Sequence, residues 1–183
     1  MALKLIKNIK PDSYAHSVYD INYSKLYENG IRYAVFDLDC TLLPFDDIRV
    51  KEEDEVLFNY INLTGIKAAI CSSGLNKRVK PVADRLGVNY IAMAKKPWVK
   101  FDDIKKLFDY KCKEDNTMFV GDSLYLDMLQ AHNINVYKVL VDMVRDGFNF
   151  KLAANDIIQA VMYFALQKEG FKYNNYYKGY KER

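Results

Sequence analysis

The sequence is poor in the features that mark secreted, membrane-spanning and metal-thiolate proteins. Its three cysteines, Cys40, Cys71 and Cys112, are odd in number and share no metal-binding spacing, which argues against a disulfide framework or a zinc site. A reducing cytosol is the simpler home, so a cytoplasmic location is expected. No stretch approaches the roughly 20 apolar residues that a membrane span needs. The start, MALKLIKNIKPD, meets charge before it reaches an apolar segment of signal-peptide length. Charge of one sign is also scarce: 27 basic against 24 acidic residues leave +3, too small and too dispersed to make nucleic acid the main partner. No internal repeat and no low-complexity linker interrupts the chain.

What is present is core material. Half of the 183 residues are apolar, with 15 Tyr and 10 Phe, and that length suits one domain. The expected organisation is a single domain over 1–170, in which 1–30 form an extension with a helix, followed by a basic and aromatic tail over 171–183. From residue 31, short apolar runs alternate with helix-length amphipathic segments, the pattern of repeated βαβ units and a mostly parallel sheet. Runs at 32–36, 67–71, 88–92, 118–120 and 136–141 read as about five strands, apolar enough to be covered on both faces. Helices are expected over 20–28, 52–63, 77–86, 123–132 and 152–167. In the second of these, Val56, Leu57, Tyr60 and Ile61 should face the core. Trp98, Phe101, Ile104, Leu107 and Phe108 make another apolar stripe, and Pro81 should start its helix late or kink it.

Ligands of open α/β sheets bind beyond the carboxyl ends of the strands. The first run leads into Asp37-Leu38-Asp39-Cys40-Thr41, and a side-chain period of two points Asp37 and Asp39 the same way. The second ends at Ser72, the third leads into Lys95-Lys96-Pro97, and the fourth ends at Gly121-Asp122 with Asp127 five residues on. Every strand end but the last supplies a polar group. Two carboxylates about 4 Å apart repel by about 4 kcal/mol at an effective dielectric near 20, so such a cluster asks for a cation. The donors are hard oxygens, which suit magnesium better than zinc or copper.

The set Asp37-x-Asp39-x-Thr41, Ser72, Lys96 and Gly121-Asp122-x-x-x-x-Asp127, in that order, resembles the four motifs of the haloacid dehalogenase (HAD) superfamily over roughly residues 31–141. Within it the chain is similar to the capless IIIA branch and its YqeG-like family, related to phosphatidylglycerophosphatases. The supporting segments are Val18-Tyr19-Asp20-Ile21-Asn22, Phe36-Asp37-Leu38-Asp39, Lys77-Arg78-Val79-Lys80-Pro81 and Lys95-Lys96-Pro97. The resemblance implies a Rossmann-like three-layer sandwich without a cap domain and a Mg2+-dependent phosphoric monoester hydrolase. It makes Asp37 the nucleophile that forms an aspartyl-phosphate and Asp39 the general acid and base. It places magnesium on Asp37, Asp122 and the backbone carbonyl of Asp39. Thr41, Ser72 and Lys96 would contact the phosphoryl group, with Asp127 and Ser73 in support, although the hydroxyls of Thr41 and Ser73 also suit turns. The chain departs from the family pattern at Cys40, where Asn is more frequent, at Ser73-Gly74, and at Ala131-His132-Asn133, which lacks the family's Arg.

Between Thr41 and Ser72, and again between Ser72 and Lys96, there is room for only a helix and a strand, so no cap can be inserted. An open site suits a large substrate such as a lipid headgroup, and phosphatidylglycerophosphate is the leading expectation. A soluble metabolite or a phosphoprotein is the alternative, and a non-catalytic interaction module on the same scaffold is the alternative from another class. The Tyr and Lys residues of 168–183 suit peripheral contact with an anionic membrane. An oligomer could supply a missing lid.

Overall fold

The computed structural model describes residues 2–146, 152–168 and 170. The expected tail, 171–183, lies outside them. Helix α1 (Ala2–Ile9) leads to strand β1 (Ser13–Ala15), α2 (Tyr23–Glu28) and β2 (Tyr33–Phe36). There follow α3 (Glu52–Leu63), β3 (Lys67–Cys71), α4 (Asn76–Leu86), β4 (Asn89–Ile91), α5 (Phe101–Lys106) and β5 (Thr117–Gly121). A π-helical turn (Leu124–Met128) then runs into α6 (Leu129–Asn133), before β6 (Tyr137–Val141) and α7 (Ala153–Lys168).

The six strands form one parallel sheet in the order β1-β6-β5-β2-β3-β4. This is the Rossmann-like three-layer arrangement expected, and no cap interrupts it among the described residues. Alternation along the strands builds the layers. Ala34 and Phe36 of β2, Ile70 of β3, Met118 and Val120 of β5, and Val139 and Val141 of β6 face one side. There they meet Tyr23 and Leu26 of α2, Leu57, Phe58 and Ile61 of α3, and Val79 and Val82 of α4. The intervening Val35, Ala69, Cys71 and Phe119 face the other side, against Ile104, Leu107 and Phe108, and Ala131 of α6. Leu140 continues that second face into a cluster with Ile9 of α1, Leu124, Met128 and Leu166 of α7. Both faces of every central strand are therefore dry.

Several sequence expectations are corrected. The sheet has six strands rather than about five, because Ser13–Ala15 adds beside β6; a three-residue edge strand has no apolar run to announce it. Val56 and Tyr60 are exposed, whereas Asp54, Leu57, Phe58 and Ile61 form the buried arc of α3. Asp54 goes inside because its carboxylate accepts from Lys51 N at 2.8 Å and from the Tyr19 hydroxyl. Trp98 is 76% exposed, since it precedes α5 and its backbone N–H closes a turn onto Lys95. Helix α4 starts at Asn76, with Pro81 inside it rather than at its start. The helix expected over 123–132 opens as a π turn.

The chain visits β2, β3 and β4 outward in one direction, then crosses back to lay β5 against the other side of β2. The crevice beyond the carboxyl ends of β2 and β5 is thus the topological switch point, where adjacent strands send their following loops apart.

Candidate active site

Asp37 follows β2 and Asp122 follows β5, so parallel pairing of those strands brings the two carboxylates to the switch point. A cavity of about 380 Å³ opens there, lined by Asp37, Asp39, Asp122, Lys96, Ser73 and Arg78 among others. Asp37, Asp122 and Asp127 each place a carboxylate oxygen within 4.8 Å of the others, and all three residues are buried. Lys96 sits between two of them, with Nζ 2.7 Å from Asp37 Oδ1 and 2.7 Å from Asp127 Oδ1. One lysine cannot neutralise three buried acids. Burial, partly offset by Lys96, raises the Asp37 carboxyl to about 7, and Asp127 pushes it the same way as burial. Asp122 is raised well above the usual carboxylate range by burial and by its neighbours Asp127 and Asp37. Burial opposes the charge of Lys96, but Asp127 and Asp37 overcome it and raise its pKa.

This imbalance fits a hard divalent cation. Three aspartates against one lysine leave two negative charges, and the clustered oxygens are hard donors. Asp127 is poorly placed to be a ligand, because its Oδ1 accepts from Lys96 and its Oδ2 from Ser123 N at 3.0 Å. Asp37 and Asp122 are the carboxylates left for the cation.

The remaining expected residues fall around this centre. Thr41 is buried, donates to Asp122 Oδ1 at 2.8 Å and accepts from Asp122 N at 3.1 Å, so its hydroxyl clamps Asp122. Ser72 is buried, its Oγ accepting from Gly74 N at 2.9 Å and lying 3.4 Å from Asp39 Oδ2. The Ser73 hydroxyl donates to the Ala94 carbonyl at 2.9 Å. Of the two adjacent lysines, Lys96 is buried and Lys95 exposed. The side chain of Asp39 stands apart from the carboxylate triad and forms an ion pair with Arg78. Cys40 adopts φ 62°, a left-handed conformation that Asn tolerates better than most residues, and burial pushes its thiol up to about 12, which disfavours the thiolate. Asp142, at the end of β6, accepts from Tyr14 at 2.6 Å and lies 3.0 Å from His16 Nδ1, so the last strand end also supplies a polar group.

Gly121 is required by close approach. A Cβ there would run into the Asp127 carboxylate, so only glycine lets the end of β5 pass beneath the acid that holds Lys96.

Sequence reasoning missed three residues. Gln159 of α7 donates to the Asp122 carbonyl at 2.9 Å and accepts from Leu124 N at 2.8 Å, bracing the loop after β5. Gln130 of α6 exchanges two bonds with the backbone of Val99, at 2.9 and 2.8 Å, and so braces the loop that carries Lys96. Both are fully paired buried amides. Their one sequence signal is a polar residue on an otherwise apolar helical face. The third is Arg78, noted in the sequence only as part of a family-like segment.

No family model matches the chain. Among solved structures it is similar to the cobalt-bound deoxy-D-mannose-octulosonate 8-phosphate phosphatase YrbI of Haemophilus influenzae, at 13% identity, covering 79% of this chain and 92% of that one with a TM-score of 0.49. It is also similar to the 3-deoxy-D-manno-octulosonate 8-phosphate phosphatase of Moraxella catarrhalis, in complex with magnesium, phosphate and KDO, at 17% identity over 55% of this chain and 64% of that one, with a TM-score of 0.41. In sequence the chain is similar over 166 residues, at 26% identity and across 91% of its own length and 96% of the relative's, to the probable phosphatase YqeG of Bacillus subtilis (strain 168).

Proposed function

We propose that the chain is a magnesium-dependent HAD-type phosphatase that hydrolyses a phosphate monoester through an aspartyl-phosphate on Asp37. The observation that carries this reading is the cluster of Asp37, Asp122 and Asp127 around the single buried Lys96 at the switch point. A carboxylate surplus there suits a site built for a phosphoryl group and its divalent cation together.

In this mechanism an Asp37 oxygen attacks phosphorus, the ester P–O bond breaks, and the departing oxygen takes the proton of the Asp39 carboxyl. Water then attacks the phosphorus of the acyl phosphate while Asp39 takes its proton, which releases phosphate and restores Asp37. Lys96 is held by Asp127 and directs its charge at the phosphoryl oxygens, with Ser72 as a hydrogen-bonding partner. Thr41 and Gln159 hold Asp122 in place, and Ser73 supports the loop after β3. Asp37, Asp122 and the Asp39 carbonyl would hold magnesium, which when bound would offset the charge of the carboxylates and of the phosphoryl oxygens.

The cavity also favours a substrate with an apolar part. Beyond the acids its wall is made by Phe45, Leu75, Leu126, Met143 and Leu152, with Lys77 at the same mouth. This supports phosphatidylglycerophosphate as substrate and phosphatidylglycerol as product, with the protein docking peripherally on the bilayer; no helix among the described residues is long and apolar enough to cross a membrane.

A panel of lipid, nucleotide, sugar and peptide phosphomonoesters tests both levels of the reading. Phosphate release should stop with chelator and return with magnesium, and magnesium plus orthovanadate should raise the melting temperature by binding the native state. The lipid ester should be hydrolysed fastest. Chelator-resistant release would overturn the chemistry, whereas faster release from a sugar or peptide ester would overturn the lipid assignment alone.

A further inference from the structure

Asp39 differs from the other acids in its partner. It is neutralised by Arg78 of α4, and in this ion pair the Arg78 and Asp39 side chains are 11% and 20% exposed. The same Nη2 that meets Asp39 also donates to the Asp47 carbonyl at 3.2 Å, and Nε stands 3.8 Å from Asp46 Oδ1, beyond hydrogen-bond distance. The anchoring loop is itself tied down, because the Asp47 carboxylate accepts from the backbone N–H groups of Ile48 and Arg49 at 2.7 and 2.9 Å. Gly74 leaves the space in which these groups meet: a Cβ there would lie 3.0 Å from Arg78 Nη1, 3.1 Å from Ser72 Oγ and 3.3 Å from Asp39 Oδ2. Asp46 N, 3.3 Å from Asp39 Oδ1, completes the ring of groups around the carboxylate. A carboxylate with no such ring would sample several rotamers, whereas this one meets a guanidinium nitrogen that the Asp47 carbonyl holds in turn.

We propose that Arg78 is a positioning residue, which fixes the Asp39 carboxylate toward the leaving-group oxygen. The inference rests on the phosphatase reading above, and a comparison of leaving groups separates the proton that Asp39 delivers from the one it later takes from water. An alkyl phosphate departs as a strongly basic alkoxide and needs that proton, while a dinitrophenolate departs without it. Misplacing a general acid by about 1 Å costs about 10²-fold, and the cost falls on the ester that needs the acid.

The test compares glycerol phosphate with 2,4-dinitrophenyl phosphate in the full chain, using Arg78→Gln, Arg78→Lys, Asp39→Asn and the double variant Asp39→Asn/Arg78→Gln, with melting curves as a check of folding. Arg78→Gln should lower kcat/KM, which reports only the steps through departure of the leaving group, about 10²-fold on glycerol phosphate while leaving that of the dinitrophenyl ester within a few fold. In kcat/KM Asp39→Asn should show the same leaving-group pattern, while its kcat should fall on both esters because Asp39 also serves as base in the second step; the double variant should be no worse than Asp39→Asn, and Arg78→Lys should recover part of the loss. Equal losses of kcat/KM on both esters, or additive losses in the double variant, would each overturn the positioning role and make Arg78 a substrate-binding or structural residue. Those outcomes leave the phosphatase reading intact so long as turnover still depends on Asp37. Turnover that survives Asp37→Asn overturns that reading, and the role of Arg78 with it.

Discussion

Asp37→Asn is expected to abolish phosphate release, with a loss of about 10⁴-fold or more, while the protein still folds. The amide keeps the shape of the carboxylate but removes the nucleophile and one of the two carboxylates available to a cation. It also removes a buried charge that burial disfavours, since the carboxyl is raised to about 7. The variant should therefore melt no lower than the parent in the absence of magnesium, and it should gain less stability than the parent when magnesium is added. Magnesium titrations followed by thermal melting, alongside phosphate release, read both effects. Near-normal turnover in a folded variant would exclude Asp37 as the nucleophile.

Lys96→Met should be the most damaging single change to stability. Lys96 is the one cation between Asp37 and Asp127, at 2.7 Å from each, and its side chain is 1% exposed. Removing one partner of a buried ion pair costs about 3–5 kcal/mol, because the other charges stay buried without compensation. For a protein of this size that corresponds to a fall in Tm of about 10 °C. Activity should fall about 10³-fold or more, as the charge facing the phosphoryl oxygens is lost. Adding Asp127→Asn to Lys96→Met removes one of the stranded charges, and the double variant should recover part of the stability without recovering turnover. A melting temperature unchanged in Lys96→Met would contradict the charge balance drawn here.

The parts of this protein that were legible in the sequence are those encoded by local pattern. Five of the six strands are apolar runs, and period-two alternation assigns their side chains to the two faces of the sheet. Because the sheet is parallel, residues that follow those runs in sequence are collected at one edge in space. That is why Asp37, Ser72, Lys96 and Asp122, from four separate segments, read as one candidate site in the sequence. The burial of Asp127 against Gly121 and Lys96 is a tertiary fact, which an acid in a helical segment does not announce.

What escaped the sequence depends on packing between distant segments. Strand β1 is three residues long and exists because β6 offers it an edge. The faces of α3 were misread because Asp54 finds partners in Tyr19 and Lys51 and takes an inward place that hydrophobicity would not give it. Gln130 and Gln159 carry no motif of their own, and the family-like segment that contains Arg78 does not say what its side chain meets. Each acts by fixing a loop or a side chain from another part of the chain, and such partners appear only once the fold has brought them together.

The most direct measurement mixes the protein with magnesium and substrate, quenches in acid during turnover, and weighs the peptides by mass spectrometry. The peptide containing Asp37 should be one phosphoryl group heavier, the adduct should disappear as substrate is exhausted, and Asp37→Asn should show none. Turnover with no adduct at any quench time, or an adduct on a different residue, would contradict the assignment of Asp37 as the residue that carries the phosphoryl group.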